Sequence, residues 1–243
     1  MSNQTSPHAT LSPEDVHSVS PALAEYTRST IVADLWSRPQ LSPRDRSAVT
    51  VAALIARAQT IGMPHYFNAA LDYGVSPAEL SEIVTHLAFY TGWSNAFFAV
   101  QILKDIFLER NIGLDQLPAA SPWLLPLDEI AEAQRAAAVE ANFGAVSPGV
   151  VHYTAEVLFK DLWLRPDLAP RDRSLITVAA LIATGQVVQI TYHLGRAMDN
   201  GLTRDQASEM LTQIAFYSGW PCVFSAMPIV KDVFANRKTS SLD

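Results

Sequence analysis

One stretch of this chain is written twice. Asp34 to Arg110 aligns without a gap on Asp161 to Arg237. Asp-Leu-Trp meets Asp-Leu-Trp, and Pro43-Arg44-Asp45-Arg46-Ser47 meets Pro170-Arg171-Asp172-Arg173-Ser174. Thr50 to Ala56 returns as Thr177 to Ala183, while Ala88-Phe89-Tyr90, Gly92 and Trp93 return as Ala215-Phe216-Tyr217, Gly219 and Trp220. Extended back to Val19 and Val146, nearly half of the aligned positions are identical. A unit this long is a duplicated module and not one rung of a short-repeat solenoid. The organisation expected is a flexible tail over residues 1–18, a first repeat over 19–110, a linker and connecting helix over 111–145, and a second repeat over 146–237.

Periodicity makes both repeats helical. Leu23, Tyr26, Ile31 and Leu35 recur at helical spacing, and Arg38-Pro39 stops that helix because the residue before a proline is pushed out of the α region. Ser42, Pro43 and Asp45 are an N-cap, a first-turn proline and an acid at the positive end of the dipole. The helix they open is apolar on nearly every side, which predicts that it is the buried centre of its copy. Ser76-Pro77-Ala78-Glu79 and Thr203-Arg204-Asp205-Gln206 read as capping boxes. Pro118, Pro122 and Pro126 mark the linker, and Leu127 to Ala141 reads as an amphipathic connecting helix. No segment alternates as a strand would. The expected class is all-α, two tandem helical repeats packed as a pseudo-dimer.

Composition closes off several functions. A formal charge of −7 without a basic run argues against nucleic acid, whose phosphates call for clustered Lys and Arg. The single cysteine, Cys222, cannot form an intramolecular disulfide and suits a reducing compartment. Residues 1–18 lack the basic start and apolar stretch of a secretory signal, and no run approaches the ~20 apolar residues that span a bilayer. The expectation is a soluble, cytoplasmic protein that binds neither nucleic acid nor membrane.

The duplication also separates fold from function, since polar positions kept in only one copy are candidates for chemistry. His193 faces Tyr66 in the alignment, and His86 faces Gln213. His193 follows Gln189 by one helical turn, and an imidazole there can transfer protons near neutral pH; a core histidine bonded to backbone fits the spacing equally well. His86, among Ile83, Leu87 and Tyr90, fits a satisfied interior histidine better. Arg46 and Arg173, kept in both copies, can fork a ligand carboxylate or be tied to structural partners, with Glu82 and Glu209 available for that role. Trp93 and Trp220 either pack the core or wall a pocket. No histidines stand at metal-ligand spacing, so no metal is expected.

These motifs resemble the carboxymuconolactone decarboxylase family, whose members share the alkylhydroperoxidase D-like fold. The resemblance is carried by Leu-Trp-x-Arg-Pro-x-Leu-x-x-Arg-Asp-Arg-Ser and Thr-Val-Ala-Ala-Leu-Ile-Ala in both copies. Tyr192-His193-Leu194 to Asn200-Gly201 and Ile214 to Pro221 carry it in the second. It implies two chemistries. Redox members use a Cys-x-x-Cys pair whose places are held here by Gln186 and Gln189, so thiol peroxidase activity is not expected. Decarboxylase members work without thiols or cofactor, often with a glutamate one turn before the histidine matching His193; here that place is Gln189, and copy one has Gly62 and Tyr66 instead. The resemblance therefore implies decarboxylation of a small carboxylated lactone in aromatic catabolism. In that scheme His193 is the proton source, Gln189 a neutral donor, His86 a lining group and Arg173 or Arg46 the carboxylate anchor. The cavity is expected near His193. Two alternatives stand: a non-catalytic small-molecule-binding or scaffold member, and a lactone hydrolase or isomerase. By the same analogy the chain is expected to form a homo-oligomer, a trimer of two-repeat chains.

Overall fold

The structure, a computed structural model, describes residues 11–239. Among these there is no strand. The first repeat contains α2 (Pro21–Tyr26), a wide π turn (Thr27–Val32), a 3-10 turn (Leu35–Ser37), and the helices α3 (Pro43–Ala56), α4 (Met63–Asp72), α5 (Pro77–Thr91) and α6 (Trp93–Glu109). The second repeats this order as α8 (Pro148–Tyr153), a π turn (Thr154–Phe159), a 3-10 turn (Leu162–Leu164), α9 (Pro170–Ala183), α10 (Ile190–Asp199), α11 (Arg204–Ser218) and α12 (Trp220–Thr239). Ahead of each stands one more helix, α1 (Pro13–Val19) before the first and the connecting α7 (Glu129–Phe143) before the second. Residues 1–10 of the expected flexible tail lie outside the described residues. The rest of it is not featureless, because Ser12 and Asp15 cap each other's backbone and start α1.

The local punctuation acts as the sequence predicts. Ser42 Oγ accepts from the Asp45 N–H at 3.1 Å, and both capping boxes close. α3 and α9 are buried from Asp45 to Ala56 and from Asp172 to Ala183. They pack against each other at the centre of the molecule, and each also carries a helix of the other repeat, α11 on α3 and α5 on α9. The consequence is one continuous apolar core shared by both repeats.

Charged pairs cross this shared core in a reciprocal pattern, as in the isologous contact of a two-fold dimer. Arg171 forks Asp45 at 2.7 and 2.9 Å, and Arg44 reaches Asp172 at 2.8 Å. Deeper in, Glu82 of the first repeat receives Arg173 at 2.9 Å and Arg165 at 2.7 Å. Glu209 of the second receives Arg46 at 2.7 Å and Arg38 at 2.8 Å. Arg46 and Arg173 have 0% exposure. Removing one partner from such a pair leaves the other charge in the interior without compensation, a loss of about 3–5 kcal/mol. Glu82→Leu is therefore expected to lower unfolding free energy by that order in chemical denaturation, with no change in the oligomerisation-independent helix content at low denaturant.

Candidate functional site

The reciprocal Arg–Glu pairs form the floor of two pseudo-equivalent crevices, one on each side of the α3–α9 centre. In the first, Arg46 donates from Nη2 to Glu209 and to the Arg38 carbonyl at 2.6 Å, and from Nη1 to Gln213 Oε1 at 3.0 Å. Gln213 Nε2 donates in turn to Thr50 Oγ1 at 3.0 Å. Above this, Trp36 Nε1 donates to the Tyr217 hydroxyl at 2.9 Å, which donates to the Tyr66 hydroxyl at 2.8 Å. This chain of bonds ends on the Tyr66 hydroxyl.

The second crevice has the same scaffold with two replacements. His86 stands where Gln213 stands, its Nδ1 3.3 Å from Arg173 Nη1 and its Nε2 2.7 Å from Thr177 Oγ1. A guanidinium can only donate, so Nδ1 is the bare acceptor and Nε2 carries the hydrogen. Thr177 is free to accept it, because its own hydroxyl donates to the Arg173 carbonyl at 2.7 Å. Complete burial, and then the charge of Arg173, hold the His86 pKa well below its ordinary value. It is a neutral ring spending both nitrogens on the fold, as Gln213 spends its amide. As placed, the ring expected to line the cavity has no nitrogen left over for a bound molecule.

His193 stands where Tyr66 stands, and here the network stays open. Trp163 Nε1 donates to the Tyr90 hydroxyl at 2.9 Å, as in the sister crevice. His193 is stacked on Trp163 at 5.8 Å between ring centres and meets Tyr90 edge-on at 5.3 Å. The residue is 7% exposed, yet among the described residues its Nδ1 has no partner. Burial, and then the positive charge of Arg196, push its pKa down to about 4, so it is neutral at physiological pH. Burial also raises the pKa of Tyr90, which keeps its phenol protonated. Arg196, one turn beyond His193 on α10, lies over the Trp163 ring at 4.4 Å and near Phe159 at 5.6 Å.

The other expected site residues are not gathered here. Arg46 and Arg173 have no donor facing open space: only Nε lacks a protein partner on each, and it is buried. Their role as carboxylate anchors gives way to the cross-repeat pairs. Gln189 precedes α10 with an exposed side chain. Trp93 and Trp220 are 53% and 51% exposed and neither pack the core nor wall a pocket. Gly92 and Gly219, at φ +94° and +88°, end α5 and α11 in a conformation that L side chains avoid, and turn the following tryptophans onto the outer surface. There Trp93 packs edge-on against Phe89, and Trp220 against Phe216.

The hollows differ as sharply as the networks. A hollow of about 1560 Å³ opens beside the first crevice between α1, α2 and α4, lined by Trp36, His65, Tyr66 and Tyr73. Its counterpart in the second repeat, between α7 and α8, is about 430 Å³ and is lined by Arg135, Val151 and Ala155. Phe159 stands in the place of Val32. Arg135 lies over that ring at 4.0 Å, and the ring stacks on Trp163 at 6.1 Å. Neither hollow is lined by His193, near which the cavity was expected: the larger lies in the other repeat, and beside His193 stands the Phe159–Trp163 stack.

The model of the carboxymuconolactone decarboxylase family matches residues 21–105 and again 148–232. The chain belongs to the carboxymuconolactone decarboxylase family. It is similar to 4-carboxymuconolactone decarboxylase of Acinetobacter baylyi, 31% identical over 83 residues, which is 34% of this chain and 62% of that protein. It is also similar to nitrosuccinic acid decarboxylase of Metarhizium robertsii, 30% identical over 70 residues, 29% of this chain and 49% of that one. This chain therefore covers less than two thirds of either relative. Its fold is similar to that of a Burkholderia xenovorans protein described as a gamma-carboxymuconolactone decarboxylase subunit, with a TM-score of 0.55 and 20% identity over 96% of this chain and 94% of that one. Among the described residues of this family member, no helix is long and apolar enough to cross a membrane.

Two residues at the open crevice escaped the sequence reading, Tyr90 and Arg196. Tyr90 is kept in both copies and so read as fold. Arg196 stands opposite Ala69, and the rule that singled out His193 would have found it too.

The sister crevice predicts how His86 can be replaced. His86→Gln keeps an acceptor for Arg173 and a donor for Thr177, and is expected to stay within about 1 kcal/mol of the parent. His86→Leu strands both partners and is expected to cost about 2–4 kcal/mol. Both His86 and His193 have folded pKa values below the ordinary 6.5. On acidification the unfolded chain takes up their protons first, so the stability they contribute is full above pH 6.5 and is lost as pH falls toward 4. Denaturation midpoints measured across that range should fall less steeply for His86→Gln than for the parent.

Proposed function

We propose that this chain is a thiol-independent and cofactor-independent carboxy-lyase acting on a small carboxylated lactone or related unsaturated acid, with the crevice at His193 as its site. One observation carries the reading. Copy one closes its polar network on Tyr66, whereas copy two ends on a buried imidazole nitrogen with no protein partner. Buried polar atoms are nearly always satisfied, and this one, beside a protonated phenol and a cation, is suited to a ligand where the buried Nε atoms of Arg46 and Arg173 are not, their guanidiniums being held by glutamates.

In such a reaction the bond between the carboxylate carbon and its neighbour breaks, CO₂ leaves, and the electron pair spreads into a conjugated enolate that then takes a proton at carbon. The Tyr90 hydroxyl is held by Trp163 and is suited to donate to the enolate oxygen as charge develops there. His193, neutral at rest, takes up a proton from solvent as negative charge develops beside it and, as the imidazolium, passes it to the carbon, returning to the neutral ring. Gln189, exposed at the entry to α10, is at most an outer donor. Entry requires the Phe159 roof to move, and that roof sits on the π turn and beside the lightly packed connecting helix, not on the shared core.

A second reading, binding of a small molecule without turnover, is favoured by the closed roof and by the locked Arg46 and Arg173. Both readings are separated by incubating the protein with carboxymuconolactone and following CO₂ release. Turnover is expected, reduced by roughly 10² or more in His193→Asn and hardly at all in Gln189→Ala. Binding with no CO₂ released by the parent protein would favour the second reading.

The exposed aromatics support the homo-oligomer expected from the sequence. Phe89, Trp93 and Phe97 are exposed on one repeat, and Trp220 and Phe224 on the other. Paired patches of this kind are what subunit contacts cover. Trp93→Glu combined with Trp220→Glu should shift the protein to monomer in sedimentation without loss of helix content.

A further inference from the structure

We propose that Arg196 and His193 form a binding subsite for a small planar carboxylate, with the Arg196 guanidinium as the anion's partner. The proposal rests on the decarboxylase reading only for the idea that this anion is a substrate. The binding follows from charge and geometry alone.

The arginines around Arg196 are all matched. Arg165 and Arg173 share Glu82, and Arg135 forks Glu132 with both contacts at 2.7 Å. Arg196 has no carboxylate among the described residues. Its one hydrogen bond, from Nη1 to the Tyr192 hydroxyl, is long at 3.4 Å, and its Nε is buried without a partner. A half-buried guanidinium without an anion is costly to keep. Alongside it lies a second unsatisfied group, the His193 Nδ1, in a residue more than nine-tenths buried.

The surroundings restrict the ligand's shape. Arg196 lies over the Trp163 ring. A guanidinium held over a ring keeps its N–H donors in its own plane, and that plane suits the fork of a carboxylate. An acid whose carboxylate is conjugated with a flat carbon frame can then extend along the same aromatic wall, toward Tyr90 and His193. Copy one offers no such pair. Ala69 and Tyr66 occupy the two places, and the Tyr66 hydroxyl is already bonded to Tyr217. The anion site therefore belongs to the second repeat, although the larger hollow lies in the first.

The test uses the full chain with benzoate as the flat carboxylate and benzamide as its uncharged match, followed by Trp fluorescence and by calorimetry. The parent protein is expected to prefer benzoate by roughly tenfold or more, and Arg196→Met to lose that preference while keeping the parent's helix content. Arg196→Lys should retain part of it, since the charge remains but the fork does not. Equal binding of benzoate and benzamide by the parent, no benzoate binding up to about 10 mM, or an unchanged preference in Arg196→Met would each overturn the subsite. Arg196-dependent benzoate binding without CO₂ release from carboxymuconolactone would leave the subsite and remove the decarboxylase reading. CO₂ release indifferent to Arg196→Met would do the reverse.

Discussion

Two buried arginine–glutamate pairs set the geometry on which everything else in this molecule stands. Arg173 with Glu82, and Arg46 with Glu209, each join one repeat to the other inside an apolar core. A charge there cannot be left alone, so each pair constrains where its partner helix may lie, and the second arginine on each glutamate, Arg165 or Arg38, narrows that further. Glu209 shows the balance. Burial works to raise its pKa, and Arg38 and Arg46 nevertheless hold it below the ordinary carboxylate value.

On this shared floor the two crevices have diverged in a physically intelligible way. The exchange of His86 for Gln213 is nearly silent, because a neutral imidazole and an amide present the same acceptor and donor to the same pair of neighbours. The exchange of His193 for Tyr66 is not. A phenol hydroxyl reaches Tyr217 and ends the network, whereas the shorter imidazole leaves a nitrogen unanswered. Likewise Arg196 in place of Ala69 brings a cation into a space that copy one leaves open. A duplicated module can in this way hold its architecture with one copy and vary its chemistry with the other. In the varied copy Phe159, aligned with Val32, stacks on Trp163 and carries Arg135 over its ring.

Much of the fold was legible in the chain. The caps at Ser42, Ser76 and Thr203 and the buried runs of α3 and α9 lie where local rules put them, because a cap or a periodic face is fixed by residues a few positions apart. The site was less legible. Trp93 and Trp220 read as core packing or pocket walls by residue type, and the turn at a positive-φ glycine sent them outward. Arg46 and Arg173, kept in both copies, read more readily as structural than as ligand-holding, and their partners proved to be Glu209 and Glu82, which lie far away in sequence.

The sequence by itself determined that a helical module was doubled, where its helices begin and end, and which family it belongs to, since all of these are written in local pattern and in self-similarity. Only the tertiary structure decided which polar groups are spent on the fold and which are left over. That decision is a matter of who meets whom across the repeat interface: Thr177 and Arg173 satisfy His86, and none of the described residues answers the His193 Nδ1. Hydrogen-bond satisfaction is a property of neighbours in space, and the chain alone does not say who the neighbours are.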